Sequence, residues 1–264
     1  MNKFSKLALA VIAAVGFNAQ AGVIDDFTVS QAIITDTTID ATGVWSQMSG
    51  PSANILGSYR DLYVNKVPNG AFGGGTVTAE VKTDGGNSFY EFSSANNTKG
   101  IGIIRWDGIT VGTGADTAAA MASINTTGLG GLDLTIAATG FLINVLSADQ
   151  AFPFQLEAYT DAFNYSIISL AGAAGPGAYF VPFSAFAGNG CLGIICTTTV
   201  GTMDFMNVGA LQAIINFPGD PTTALDLSIN LVQNTTVPEP GALALVGLAL
   251  LGLGAARRSM KKTK

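Results

Sequence analysis

The chain contains no histidine and two cysteines, and it has no lysine or arginine between Trp106 and Ala256. Each shortage removes a class of function. Without an imidazole base, neither a Ser-His-Asp nor a Cys-His nucleophile can be assembled. Structural zinc wants four sulfur or nitrogen ligands, which two cysteines alone cannot supply. A nucleic-acid partner needs a cationic face that displaces counterions. Over residues 22–236 the only bases are Arg60, Lys66, Lys82, Lys99 and Arg105, set against seventeen acids, a formal charge of −12. There is no G-x-S-x-G elbow and no Gly-Lys pair for a phosphate-binding loop. The segment Gly188-Asn189-Gly190-Cys191-Leu192-Gly193 spells G-x-G-x-x-G, but it lacks a βαβ setting and reads as a turn. Ser259 to Lys262 formally spells S-x-x-K, within a terminal basic tail.

What the chain does have is strongest at its two ends. Lys3 and Lys6 precede an apolar run over residues 7–17, and Ala19-Gln20-Ala21 places small residues at the two cleavage positions. Eleven apolar residues are too few to span a bilayer, so residues 1–21 read as a secretory signal peptide and the mature chain starts at Gly22. At the other end stands Val237-Pro238-Glu239-Pro240, which the prolines keep out of a helix interior. Residues 241–256 carry no charge, and Arg257, Arg258, Lys261, Lys262 and Lys264 follow. As a helix those sixteen residues extend about 24 Å, a little short of a ~30 Å hydrocarbon core, a deficit that snorkelling arginines cover. Arg257 and Arg258 then mark the cytoplasmic side and place everything before Pro238 outside.

This order of a Pro-Glu-Pro motif at 238–240, a short Gly/Ala/Leu span and a basic end at 257–264 resembles the PEP-CTERM sorting signal. The resemblance implies secretion machinery and a signal peptidase as first partners. A membrane-embedded exosortase-like protease or transpeptidase then cuts near the motif. It also implies a transient stay in the inner membrane and a final place at the cell surface or outside the cell. It covers residues 237–264 and assigns a route, leaving the activity of residues 22–236 to be read separately.

Residues 22–236 read as a single all-β domain. In residues 224–232, Leu225, Leu227, Ile229 and Leu231 alternate with Asp226, Ser228 and Asn230, as a strand with one buried face requires. Leu132, Leu134 and Ile136 alternate with Asp133 and Thr135 in the same way. Further strands are expected at 23–29, 76–82, 88–92, 101–106, 141–146, 154–159, 163–170, 179–183 and 209–217, with a short helical turn at 118–124. Asn69-Gly70, Asp84-Gly85, Asp107-Gly108 and Asn189-Gly190 supply the positive-φ residues that tight turns need. Together these predict an antiparallel β-sandwich of jelly-roll type. In an exported chain Cys191 and Cys196 most simply form a disulfide; the alternative is two free thiols.

A second, shorter resemblance lies in the mature region. Ile24-Asp25-Asp26-Phe27 resembles the opening strand of carbohydrate-binding-module-like jelly rolls, and 225–229 after 208–211 is similar to their closing strands. In such folds the first and last strands pair and some hold a structural calcium ion. The resemblance therefore places Asp25, Asp26 and Asp226 as calcium ligands, against the plainer reading of solvated strand acids. No other cofactor is expected.

Sugar recognition stacks flat rings on pyranose faces beside polar groups that bond hydroxyls. The candidate rings are Trp45, Tyr59, Tyr63, Tyr90, Trp106 and Tyr159, with Arg60, Asp61 and Asp107 as polar neighbours. Trp106 and Tyr159 are singled out as platforms, the alternative being that they are core. Glu80, Glu91 and Glu157 are the glutamates that a carboxylate-only glycosidase would have to pair. The reading that follows is a non-enzymatic exported protein of the extracellular polysaccharide matrix or biofilm, with a carbohydrate-binding module as the second reading.

Overall fold

A computed structural model of the chain describes residues 22–40, 42–69, 74–109, 123–136, 138–192, 195–217 and 221–236. Both terminal signals, 1–21 and 237–264, and nearly all of the helical turn expected at 118–124 lie outside the described residues. Within them are β1 (Gly22–Asp25), β2 (Gln31–Asp36), β3 (Val44–Ser49), β4 (Tyr59–Val67), β5 (Val77–Asp84), β6 (Asn87–Ser94), β7 (Lys99–Trp106) and β8 (Gly140–Ala148). They are followed by β9 (Phe152–Asp161), β10 (Asn164–Gly172), β11 (Gly177–Pro182), β12 (Gly190–Leu192), β13 (Ile195–Val200), β14 (Ala210–Ile215) and β15 (Asp226–Thr235).

These strands form two antiparallel sheets. One runs β11-β8-β15-β6-β5-β2, with β1 paired to the far half of β15, and the other runs β12-β13-β10-β9-β14-β7-β4-β3. The pairing of β1 with β15, Gly22 opposite Asn234, brings the first and last strands together. It also puts both ends of the domain side by side.

The period-2 pattern decides which side of each sheet is buried. Val77, Ala79, Val81, Tyr90, Phe92, Phe141, Ile143, Val145, Leu227 and Ile229 face inward from the first sheet. They meet Leu62, Val64, Ile104, Trp106, Phe154, Leu156, Ala158, Ile168, Leu211 and Ile215 from the second. Gly100 and Gly102 lie on the inward side of β7, where a Cβ would sit 2.4 Å from Val77 and 2.6 Å from the Phe92 ring. Their lack of a side chain lets the sheets approach there.

Two turns show local chemistry setting register. Gly85 and Gly86 join β5 to β6 at φ +56° and +82°, the two left-handed residues that a tight primed hairpin turn demands. At residues 132–136 the expected strand does not form. The Asp133 carboxylate accepts bonds from the Thr135 amide and hydroxyl at 2.8 and 2.6 Å, which folds the backbone into a turn and leaves Ile136 exposed.

One polar network lies inside the sandwich. Asp25 and Arg60, both fully buried, pair through the Arg60 Nη1 at 2.9 and 3.0 Å. The indole N–H of Trp106 donates to the same carboxylate at 2.9 Å, and Arg60 Nε donates to the side-chain Oε1 of Gln31 at 2.9 Å. Burial pushes the Asp25 carboxyl up, while the Arg60 charge and the Trp106 N–H pull it back down. This network locks β1 and the 25–29 turn onto the second sheet.

Candidate functional site

The outward faces of the two sheets differ in kind. On the first sheet the outward residues of β5, β6 and β15 are Glu80, Lys82, Glu91, Ser93, Asp226 and Ser228. There Glu80 and Glu91 stand opposite one another, both paired to Lys82, as a solvated ion cluster.

The outward face of the second sheet carries polar and aromatic side chains in register. Gln47, Asp61, Arg105, Gln212 and Glu157 stand opposite one another across β3, β4, β7, β14 and β9. Five neighbouring strands at about 4.8 Å spacing make this row roughly 19 Å long. Its members are joined: Gln47 Nε2 donates to Asp61 at 2.7 Å, Arg105 Nε to Gln212 at 2.7 Å and Gln212 Nε2 to Glu157 at 3.0 Å. The Tyr159 hydroxyl donates to the same Glu157 oxygen at 2.6 Å. Alternation along each strand makes this arrangement possible, because residues two apart share a face.

Aromatic pairs flank the row on both sides. Trp45 and Tyr63 lie opposite each other on β3 and β4 with ring centroids 4.3 Å apart, and the Arg105 guanidinium sits 4.5 Å from the Trp45 ring. On the other flank Tyr159 and Tyr165 stack at 5.1 Å. Trp45, Tyr159 and Tyr165 are half-buried, so each keeps surface toward solvent.

Electrostatically the face is one guanidinium among carboxyls. Burial lowers the Arg105 pKa, and Asp107, Asp61, Tyr159 and Glu157 oppose that shift. Burial pushes the carboxyls of Asp107 and Glu157 up from their ordinary values, with Arg105 restraining both. Burial and the Glu157 charge push the Tyr159 phenol up. The rise keeps Tyr159 protonated and donating.

Of the residues singled out from sequence, Tyr159 lies on this face and Trp106 does not. Trp106 is fully buried between the sheets, because position 106 has the inward parity of Gly102 and Ile104 and its indole N–H is bound to Asp25. Tyr90 is likewise core and Arg60 belongs to the internal ion pair. Trp45, Tyr63 and Asp61 reach the face, and Asp107 stands at its margin. Tyr165, Gln47, Gln212 and Arg105 were not legible as site residues.

Asp25, Asp26 and Asp226 do not converge on a cation. Asp25 lies opposite Val232, six residues along β15 from Asp226, which is roughly 20 Å of strand. Asp25 is spent on Arg60 and Trp106, Asp26 on Thr28 and Asn54, and Asp226 on Ser93. Among the described residues no group of three His, Cys, Asp or Glu side chains is placed to hold a metal. Cys191 and Cys196 stand opposite each other on β12 and β13 and form a disulfide.

Residues 236–258 match the PEP-CTERM protein-sorting motif. No curated protein matches the chain. Among solved structures, the chain is similar to a family 11 carbohydrate-binding module from Clostridium thermocellum in complex with a β-1,3-1,4-mixed-linked tetrasaccharide. Identity is 12%, coverage is 83% of this chain and 97% of that one, and the TM-score is 0.38. The family 11 module of the cellulosomal cellulase Lic26A-Cel5E of the same organism matches at 10% identity over 83% and 98% of the two chains, TM-score 0.34. At these values the likeness carries no argument about what this chain binds.

Proposed function

We propose that this chain, which carries the PEP-CTERM sorting motif of an exported protein, is a non-catalytic surface or matrix protein that binds extracellular polysaccharide. Binding takes place on the outward face of its second sheet. One observation carries this reading: a hydrogen-bonded row of amide, carboxylate and guanidinium groups crosses five strands, its members Asp61, Arg105, Gln212 and Glu157 buried, and it is flanked by aromatic pairs of which Trp45, Tyr159 and Tyr165 are half-buried. The half-buried rings cover the apolar faces of pyranoses while the buried polar row beneath holds them in place, and a face this long fits an extended chain better than a single sugar.

The geometry favours binding over hydrolysis. Asp61 and Glu157 stand three strand spacings apart, about 14 Å at the backbone, beyond the ~5–9.5 Å that glycoside hydrolysis uses between its two carboxyls. Glu157 is held by Tyr159 and Gln212, and the Glu80–Glu91 pair is bridged by Lys82 on the other sheet.

Binding is tested by affinity electrophoresis and calorimetry of the exported protein against soluble matrix polysaccharide from its host. Trp45→Ala is expected to weaken binding by roughly thirtyfold, the effect of losing an aromatic anchor of about 2 kcal/mol. An unchanged affinity in Trp45→Ala and in Tyr159→Ala would remove the face from consideration. Sorting is tested separately, by replacing Pro238, Glu239 and Pro240 with alanine and measuring intact mass. A longer, cell-retained species is expected in place of the processed one, and unaltered processing and export would sink the sorting route.

A further inference from the structure

The three most exposed large apolar side chains among the described residues are Phe163 at 80%, Ile136 at 72% and Met206 at 63%. A lone exposed apolar residue is ordinary, but these three share one end of the sandwich. Phe163 lies in the turn between β9 and β10, Met206 in the loop before β14 and Ile136 in the segment before β8. Hydrogen bonds join the three loops. The Asp204 amide donates to Thr160 Oγ1 at 2.8 Å, the Thr202 amide to Asn164 Oδ1 at 3.0 Å and the Leu134 amide to the Phe205 carbonyl at 2.9 Å. The backbone at each tip is fixed by an aspartate. The amides of Phe163 and Met206 donate to the carboxylates of Asp161 and Asp204 two residues earlier, at 2.8 and 2.9 Å, as the Thr135 amide does to Asp133. Phe205 stacks on Phe183 in the core with centroids 4.3 Å apart, which leaves its neighbour Met206 facing solvent.

The chain leaves the domain from this same end. The Thr235 carbonyl accepts the Thr139 amide and Asn234 Nδ2 donates to the Leu134 carbonyl, both at 2.9 Å, so β15 ends against the segment that carries Ile136. Beyond Thr236, residues 237–240 lead directly to the uncharged run 241–256 of the sorting motif. The five Cα steps from Thr236 to Gly241 reach about 18 Å at full extension. A membrane that holds the uncharged run therefore lies close to this end of the domain and to no other.

We infer that this end of the sandwich is a lipid-docking surface: while residues 241–256 are held in the bilayer, Phe163, Ile136 and Met206 enter the boundary between headgroups and acyl chains. The inference rests on the sorting route and goes beyond it, because the folded domain itself touches lipid before release. Apolar side chains gain by leaving water for that boundary, and the short tether supplies the local concentration that three side chains alone lack. The attraction is apolar and not electrostatic. These loops contain no lysine or arginine. Hydrogen bonds from Thr135 and Asn164 lower the carboxyl pKa of Asp133 and Asp161, so both stay charged beside the tips. Anionic headgroups are repelled there and zwitterionic lipid is preferred.

The test reconstitutes the unprocessed chain, residues 22–264, into phosphatidylcholine vesicles with brominated acyl chains, which quench tryptophan only on contact with the acyl region. Phe163→Trp is the reporter, and Phe217→Trp, beyond the far end of β14, is the comparison. Emission is read as the excess over wild type, which carries Trp45 and Trp106. The Phe163→Trp emission is expected to shift to the blue and to be quenched by bromolipid, and the Phe217→Trp emission to do neither. Adding Ile136→Ser and Met206→Ser to the reporter is expected to remove most of the quenching, since both positions are exposed and the fold does not depend on them. High salt should leave the quenching intact, and replacing half of the lipid by phosphatidylglycerol should weaken it. A chain that sediments with the vesicles while Phe163→Trp goes unquenched, or is quenched no more than Phe217→Trp, overturns the inference and spares the sorting route. So does quenching that salt abolishes or that the two serines leave unchanged. A chain that fails to sediment with vesicles at all overturns the membrane step of the sorting route and this inference with it.

Discussion

Arg60→Met is expected to destabilise the domain by about 3–5 kcal/mol, the usual cost of removing one partner of a buried ion pair. For a domain of some 215 residues this is a fall of roughly 10–15 °C in Tm, measured by calorimetry or thermal circular dichroism. Arg60 and Asp25 are fully buried, and the pair also organises Gln31, the Trp106 indole and the 25–29 turn. Methionine fills much of the arginine's volume, so the loss comes from the charge left behind. In the variant nothing cationic opposes the burial that already pushes Asp25 up, and its folded-state pKa rises well above that of the unfolded chain. Such a carboxyl contributes stability fully below its unfolded pKa and loses it as pH rises through the folded value. The variant should therefore recover stability on acidification. Arg60→Met combined with Asp25→Asn should recover more than half of the loss at neutral pH. A single variant within about 1 kcal/mol of wild type would show that the pair holds nothing together.

The same residues explain how much of this molecule could be read from its sequence. Strands such as β5, β6 and β15 announce themselves because apolar and polar residues alternate, as in Leu225, Leu227 and Ile229 against Asp226 and Ser228. The sandwich class follows from such segments, while the pairing of its first and last strands is what the resemblance of Ile24–Phe27 and residues 225–229 to carbohydrate-binding-module-like jelly rolls implies. Strand β4 does not announce itself. It turns Arg60 and Lys66 inward and Asp61, Tyr63 and Asn65 outward, so its alternation is of charge against charge and vanishes from a hydropathy reading. Strands β2 and β3 are similarly mixed, and β13 is a run of threonines. The site fails to show for a related reason. Its members come from five strands whose neighbours are set by long-range pairing: Gln212 meets Arg105 from 107 residues away. Trp106 misleads because its parity becomes visible only once β7 is known to run from Lys99 with glycines facing in. The disulfide was legible because it is local, five residues apart.

Gly128→Ala is expected to couple stability to binding. The backbone of Gly128 packs directly on that of Asp107 and Gly108: an added Cβ would lie 1.7 Å from the Asp107 carbonyl oxygen, 2.7 Å from its carbonyl carbon and 2.6 Å from the side-chain Nδ2 of Asn125. The Asn125 side chain can swing aside, but the Asp107 carbonyl is backbone and cannot, so the 125–129 turn has to lift off the end of β7. The expected cost is about 3 kcal/mol, at the upper end for overpacking. Gly130 is an internal comparison, since it has φ +71° and nothing within 4 Å of an added Cβ. Gly130→Ala carries only the left-handed penalty of about 1–2 kcal/mol. The two should differ in function as well. Lifting the turn withdraws the Asn125 amide from Asp107, which frees that carboxyl from its place beside Asp61 and Arg105. Gly128→Ala should therefore lose affinity for the soluble matrix polysaccharide under conditions where it remains folded, while Gly130→Ala keeps it. Equal Tm values for the two, or native affinity in folded Gly128→Ala, would show that the turn does not hold Asp107 in place.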